Sequence, residues 1–398
     1  MTRRRTVGIL TGGGDTAPLN TLLFSLRNRL AGDRVRLVGF VKGWDGVLNK
    51  RFVDLHRSPD FGRIGGTFLK SSRRNLALGS GFERANRSLS EQGVERLVVV
   101  GGDDTLSNVY GISAAPCLAV SKTIDNDLGI FSAETEGSRV VNYFTLGYPT
   151  AAEKIARFVS LEHGIRTTAY SHDRLMIVES MGMQAGWLAL ASSFGNPDFI
   201  LIPEFPLDYA DFLDKLKRRY AEKEHVIVVA AEGVRFSGHE LLYENAGERD
   251  AFGNPRFGGA ALALAARLKK DMAGAMEVRN INAVNPSYWY RSGSPNAVDA
   301  DAAERTAERC AAWINGPEPS GHGFVEVTCS AGKIGAETRP FSDFEKTGHG
   351  RFPKREVPGI LYDADRACAT DRWAEYLSPL VPFSSAVTGY GLNLERQS

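Results

Sequence analysis

The feature that most constrains this chain is a series of short, continuously apolar runs rich in β-branched residues. They are VGIL (7–10), VRLVGFV (35–41), RLVVV (96–100), CLAV (117–120), RLMIV (174–178), FILI (199–202), VIVVAA (226–231) and FVEVTC (324–329). A strand wet on one face alternates apolar with polar residues; a strand covered on both faces does not. Helix-patterned stretches lie between the runs, at 18–30, 150–163, 209–223, 259–272 and 300–314. This alternation predicts an α/β chain with mainly parallel sheets and helices on both sides. At 398 residues, two such lobes are expected rather than one. After about Lys333 the periodicity fades. GKIGAETRPFSDFEKTGHGRFPKREVPG reads as irregular wrapping structure, a plain extension.

Composition narrows the functions. The formal charge is +1, so nothing global draws the chain to nucleic acid or to an anionic membrane. No run approaches the length of a membrane span. The apolar stretch in MTRRRTVGIL stops at Leu10, too short for a signal sequence. The four cysteines, Cys117, Cys310, Cys329 and Cys368, form no CxxC pair, which favours reduced thiols in a cytoplasmic protein.

Open α/β sheets bind ligands beyond the carboxyl ends of their strands. Four strand-ending loops are unusual. TGGGDTAP (11–18) offers glycine amides and a helix start to an anion. It fits the dinucleotide fingerprint, but VRLVGFVKGW ends in Lys42 where a nicotinamide site wants an acid. GGTFLKSSRRN (65–75) sets Lys70, Arg73 and Arg74 among glycines and serines, a cluster suited to phosphate oxygens. GGDDTLSN (101–108) places Asp103 and Asp104 at a strand end. A carboxylate there suits Mg²⁺, while Asp104 or Thr105 could cap the next helix, and both roles can hold at once. SKTIDND (121–127) crowds Asp125 and Asp127 beside Lys122 and Thr123. One carboxylate is a candidate general base, and the lysine a cation for a transferring phosphoryl group. A surface Asx-turn cluster is the competing reading.

Taken in order, TGGGD, GGTFLKSSR, VVVGGDDT, KTIDND, ESMGMQAG, AAEG and YRSGSP resemble the phosphofructokinase family, from about residue 6 to about residue 310. The resemblance implies two Rossmann-like three-layer lobes. Residues 1–136 plus about 291–335 would form the phosphoryl-donor and Mg²⁺ lobe, and 137–290 the sugar-phosphate lobe. Residues 336–398 would be an extension packing on them. It implies Asp125 as the base, with Asp127, Thr123, Lys122 and Arg174 completing the catalytic set. Asp103 would hold Mg²⁺. Gly13, Gly14, Arg73, Asp104 and Lys122 would meet the donor. Met181, Gly182, Met183, Glu232, Tyr288 and Arg291 would join Thr123, Asp125, Asp127 and Arg174 around the acceptor. A homodimer or homotetramer is implied, with Arg174 reaching the neighbouring copy's site.

Asp104 and Lys122 match the pyrophosphate-using branch of that family. A carboxylate at 104 repels a nucleotide α-phosphate, and a lysine at 122 supplies charge to a small anionic donor. The acceptor segment NPSYWYRSGSP departs from the family pattern: Tyr288 replaces a histidine and Met183 an arginine. Arg279 or Lys269 could compensate. The expected reaction is phosphoryl transfer from pyrophosphate to the 1-hydroxyl of fructose 6-phosphate. The alternatives are another acceptor, such as sedoheptulose 7-phosphate or a specialised-metabolism sugar, ATP as donor, or a non-catalytic sugar-phosphate sensor.

Overall fold

The computed structural model describes residues 4–32, 34–62, 64–134, 137–237, 259–274, 277–344, 346 and 350–385. These fall into two compact units. The first runs to Thr150 and resumes from Arg291 to Arg355; the second takes the described residues from Ala151 to Tyr290 and again from Glu356.

The chain enters the first unit with β1 (Arg5–Thr11), β2 (Val35–Phe40), β3 (Phe52–Asp54), β4 (Val94–Gly101) and β5 (Cys117–Ser121), then a hairpin of β6 (Ile130–Glu134) and β7 (Gly137–Val141). The second unit holds β8 (Leu175–Ser180), β9 (Phe199–Leu201), β10 (Val226–Ala231) and β11 (Ile281–Val284). The chain returns to the first unit with β12 (Gly323–Ser330) and β13 (Lys333–Pro340), and to the second with the short β14 (Tyr362–Asp363) and β15 (Cys368–Ala369). All eight apolar runs are therefore strands. The five helix-patterned stretches are the helices Leu19–Arg29, Tyr148–Val159, Tyr209–Lys223, Ala260–Asp271 and Ala297–Asn315.

The first unit's sheet has the order β13-β12-β5-β4-β1-β2-β3. Pairing is parallel from β12 through β5, β4 and β1 to β2; the edge strands β3 and β13 are antiparallel. The second sheet, β11-β8-β10-β9, is parallel throughout. Both are the α/β arrangement that two-sided burial of β-branched runs requires. In the first sheet β1 lies between β2 and β4, so the strand order reverses beside it, and β1, β4 and β5 deliver their ends to one edge.

The reading of residues beyond Lys333 as a plain extension is corrected here. Residues 333–340 form edge strand β13 on β12. None of their side chains is buried, so they left no apolar run to read. Phe341, Phe344 and Phe352 then join the core of the first unit. The Phe324 ring lies 4.5 Å from Phe344 and 5.8 Å from Phe352, centroid to centroid. Each buried phenylalanine contributes about 1.5–3 kcal/mol. In the second unit, Trp373 on the helix Asp371–Leu377 packs 5.9 Å from Trp187.

Arg96, on β4 and 2% exposed, donates to the carbonyls of Ile314 (3.1 Å), Gly316 (3.1 Å) and Pro317 (2.8 Å), and also to that of Trp313. It thus satisfies the carbonyls that the helix Ala297–Asn315 leaves unpaired at its end. Arg96→Met should lower the melting temperature by about 5 °C or more, since several buried acceptors lose a charged donor. An unshifted melt would show that water or relaxation replaces it.

Candidate active site

Three strand ends of the first unit build the site. After β1, Gly12, Gly13 and Gly14 turn the chain; Gly13 sits at φ +76, where a side chain is strained. Gly12 is pressed against Thr105, and a Cβ there would come 2.5 Å from the threonine hydroxyl. A Cβ on Gly14 would collide with the Arg291 guanidinium. Arg291 in turn lies 3.9 Å from Asp15. The Gly13 amide donates to the Ser72 carbonyl at 3.1 Å. The glycine loop is therefore fastened to the 65–75 loop, and Arg73 stands exposed at its surface.

Lys122 follows β5 and is 2% exposed. Its ammonium donates to the Gly12 carbonyl at 2.8 Å and to the Gly14 carbonyl. Burial, then the positive Arg291 and Arg73, lower its pKa to about 7, against the pull of Asp15 and Asp125. In this conformation Lys122 braces the underside of the glycine loop.

After β4, Gly102 precedes the short helix Asp103–Ser107, which no side chain caps at its start. Asp103 and Asp104 occupy its first turn. A cavity of about 230 Å³ opens beside Asp104, lined by Asn75, Phe82, Tyr110, Lys346 and Arg351 among others.

After β5, the loop 123–127 is held from within. Thr123 Oγ1 accepts from the Asp125 amide at 3.1 Å. The Thr145 hydroxyl donates to the Thr123 carbonyl at 2.6 Å. Asn126 is fully buried at φ +55, and its side-chain oxygen accepts from the Thr145 amide at 3.1 Å. These contacts present Asp125 and Asp127 on the same side of the loop as Asp103.

Two residues that sequence reasoning missed complete the cluster. Lys354 Nζ lies 3.1 Å from Asp103 Oδ2 and 3.3 Å from Asp127 Oδ2. Burial works against its charge, but Asp127, Asp103 and then Asp125 outweigh it and hold the ammonium above its ordinary pKa. Arg355, 5% exposed, donates to the Asn126 carbonyl (2.8 Å) and side-chain oxygen (2.7 Å), and to the carbonyls of Asn142 (2.8 Å) and Tyr143 (3.1 Å). Its own amide donates to the Asp127 carbonyl at 2.8 Å. The only available signal was a Lys-Arg pair in FPKREVPG, with no spacing to link it to a loop some 230 residues earlier.

Burial and then the Asp127 charge push Asp125 up to about 6, against Lys354 and Arg291. Burial likewise raises Asp127, with Lys354 opposing. A carboxyl of this kind is a base at neutral pH whose proton affinity exceeds that of a solvated aspartate. Among the described residues, no cluster of three or more His, Cys, Asp or Glu side chains converges to hold a metal alone. Asp103 and Asp127 nonetheless share one cation already, in the form of the Lys354 ammonium. Two carboxylates that borrow their remaining oxygens from a phosphate are a donor set Mg²⁺ accepts, so the residues present fit it.

The second unit gathers a different group. Gly182, after β8, sits at φ +129, and its amide donates to Glu232 Oε1, after β10, at 3.2 Å. Gly233 abuts the Met183 carbonyl, and Met181 opens the same turn. These residues share the carboxyl edge of adjacent strands. Arg174 does not join them. It precedes β8, at the opposite end of that strand, and donates to Thr168 Oγ1 at 2.6 Å. Tyr288 is 68% exposed in the turn Ser287–Arg291. Neither candidate compensator lies with Gly182 and Glu232. Lys269 is in the last turn of a helix whose start is bound by Glu179. Arg279 pairs with Glu277 at 2.5 Å on the surface ahead of β11.

A carboxyl kept protonated by the fold adds stability at acid pH. That contribution fades as pH climbs from the unfolded value, about 3.9, through about 6. Asp125→Asn should therefore melt higher than the parent at pH 7.5, by on the order of 2 °C, with the difference closing near pH 4. A lower melt at pH 7.5 would mean the Asp125 charge is better compensated than its neighbours imply.

Comparison with known proteins bears on both units. The family model described as Phosphofructokinase matches residues 6–314. A pyrophosphate–fructose 6-phosphate 1-phosphotransferase of Dictyoglomus thermophilum is 34% identical over 300 residues, covering 74% of this chain and 81% of that protein. An ATP-dependent 6-phosphofructokinase 3 of Streptomyces coelicolor is 32% identical over 309 residues, covering 75% and 84%. A pyrophosphate-dependent phosphofructokinase structure from Nitrosospira multiformis shares the fold at a TM-score of 0.78, with 18% identity over 98% of this chain and 95% of that one. No helix among the described residues is long and apolar enough to cross a membrane.

Proposed function

The chain belongs to the phosphofructokinase family, and on that premise we propose that it moves a phosphoryl group from pyrophosphate to the 1-hydroxyl of fructose 6-phosphate. The observation carrying this reading is the cluster at the ends of β4 and β5: three carboxylates, Asp125 with its pKa raised to about 6 and the other two paired with the Lys354 ammonium.

In this reading Asp125 takes the proton from the attacking hydroxyl. It is ionised at neutral pH yet basic enough to accept a proton. Asp127 and Thr123 orient that hydroxyl and the loop. Asp103 and Asp127 would hold Mg²⁺, which neutralises charge on the phosphates when bound. Gly13, Gly14 and Arg73 line the donor side, and Lys122 keeps the glycine loop in shape beneath it. Arg291 supplies positive charge beside that loop. In the second unit, Met181, Gly182, Met183 and Glu232 hold the acceptor, with Tyr288 at its margin. Arg174, remote from Gly182 within its own unit, acts on the site of another copy in a homodimer or homotetramer.

Pyrophosphate is favoured as donor on physical grounds. A carboxylate at 104 would repel a nucleotide α-phosphate, which a pyrophosphate donor lacks. The relatives' names divide between pyrophosphate and ATP, so the donor must be assayed. A matrix of pyrophosphate and ATP against fructose 6-phosphate, sedoheptulose 7-phosphate and other sugar phosphates is expected to give turnover with pyrophosphate and fructose 6-phosphate. Turnover with ATP alone overturns the donor assignment. A stronger response to another sugar moves the acceptor, which Tyr288 and Met183 leave as the second reading.

Two further outcomes test the base. Asp125→Asn should lose about 10²–10⁴-fold in kcat while staying folded; unchanged turnover would remove Asp125 from that role. In the parent enzyme, kcat/KM should fall tenfold per pH unit below about 6, as the Asp125–Asp127 pair takes up a proton. A profile flat to pH 4.5 contradicts it.

A further inference from the structure

Lys354 sits where no catalytic pattern anticipated a cation, and its surroundings say what it does. Its backbone is fixed on both sides. Two residues before it, Phe352 is buried in the core and its amide donates to Ser107 Oγ at 2.7 Å. One residue after it, Arg355 bonds the Asp127 carbonyl and the 126–143 backbone. Lys354 itself bridges to Leu128. Only the side chain is left to move; it is one-third exposed, and rotamer changes of such a chain take picoseconds to nanoseconds. Its ammonium touches the two carboxylates that would hold Mg²⁺, one from each strand end, and Asp125 adds a third negative charge behind them.

An ammonium and a divalent ion cannot share those oxygens without strong repulsion. We propose that Lys354 is a tethered stand-in for the metal. It neutralises Asp103 and Asp127 in the substrate-free protein, blocks them to free Mg²⁺, and is drawn off by the negative charge of an incoming diphosphate, so that metal and donor enter together. Diphosphate carries enough charge to satisfy both the metal and the released lysine; the aqueous metal ion alone takes both paired carboxylates from Lys354 and leaves it only the more distant Asp125. The idea rests on the proposed reading of Asp103 and Asp127 as metal-holding carboxylates, but not on the identity of donor or acceptor.

The test uses Mn²⁺ as the probe, following its free-ion electron paramagnetic resonance signal during titration of the full-length, substrate-free protein. The parent should bind Mn²⁺ weakly. Lys354→Met should bind it at least tenfold more tightly, and Lys354→Arg, which keeps the charge, should stay as weak as the parent. Lys354→Met should also melt lower than the parent without metal, through repulsion between the exposed carboxylates, and recover when Mn²⁺ is added. Should Lys354→Met not fold, Lys354→Gln takes its place in the same titration. Equal Mn²⁺ affinity in the parent and the neutral variant overturns the proposal, as does tight binding by the parent alone. A failed donor assay leaves these affinities untouched, so the two readings fail separately.

Discussion

Mutual repulsion among Asp103, Asp125 and Asp127 is the constraint that the rest of the first unit has to answer. Left alone, three carboxylates this close would either take up protons or push their loops apart. The fold offsets them in two ways. Lys354 lies against two of them at 3.1 and 3.3 Å, and Arg355 locks the loop backbone so that the charges cannot separate. Burial, and after it the remaining repulsion from Asp127, raises the pKa of Asp125, and a raised pKa makes an aspartate a stronger base.

The neighbouring loops obey the same logic with the sign reversed. Lys122, Arg73 and Arg291 gather around the glycine turn, and burial, followed by repulsion from Arg291 and Arg73, lowers the Lys122 pKa. Lys122 is kept there by two backbone carbonyls. A positive loop and a negative loop thus face one edge of the sheet, supplied by three adjacent parallel strands. That polarity suits the transfer of a multiply charged group between an anion-binding turn and a carboxylate-rich one.

Much of this was legible in the amino acids because it rests on local rules. Strands buried on both faces must be apolar throughout, so β1, β2, β4, β5, β8, β9, β10 and β12 could be read directly. Amphipathic helices announce themselves by spacing; the limits of Tyr209–Lys223 match the expected 209–223. Strands with one wet face or very few residues, such as β3, β11 and β13, escaped because they leave no apolar run. The carboxylates and glycines of the site stood out because each ends a strand. Lys354 and Arg355 did not, since their meaning lies in contacts that cross some 230 residues of chain. For the same reason the burial of Lys122 against carbonyls could not be seen in SKTIDND.

The dependence of the 123–127 loop on Arg355 also orders events at the ribosome. Strands β1, β2, β4 and β5 precede the pinning residue, and the guanidinium that holds Asn126 is made 229 residues after it. A nascent chain therefore carries its acidic loop without its anchor. The fixed geometry of this edge is therefore a late product of synthesis.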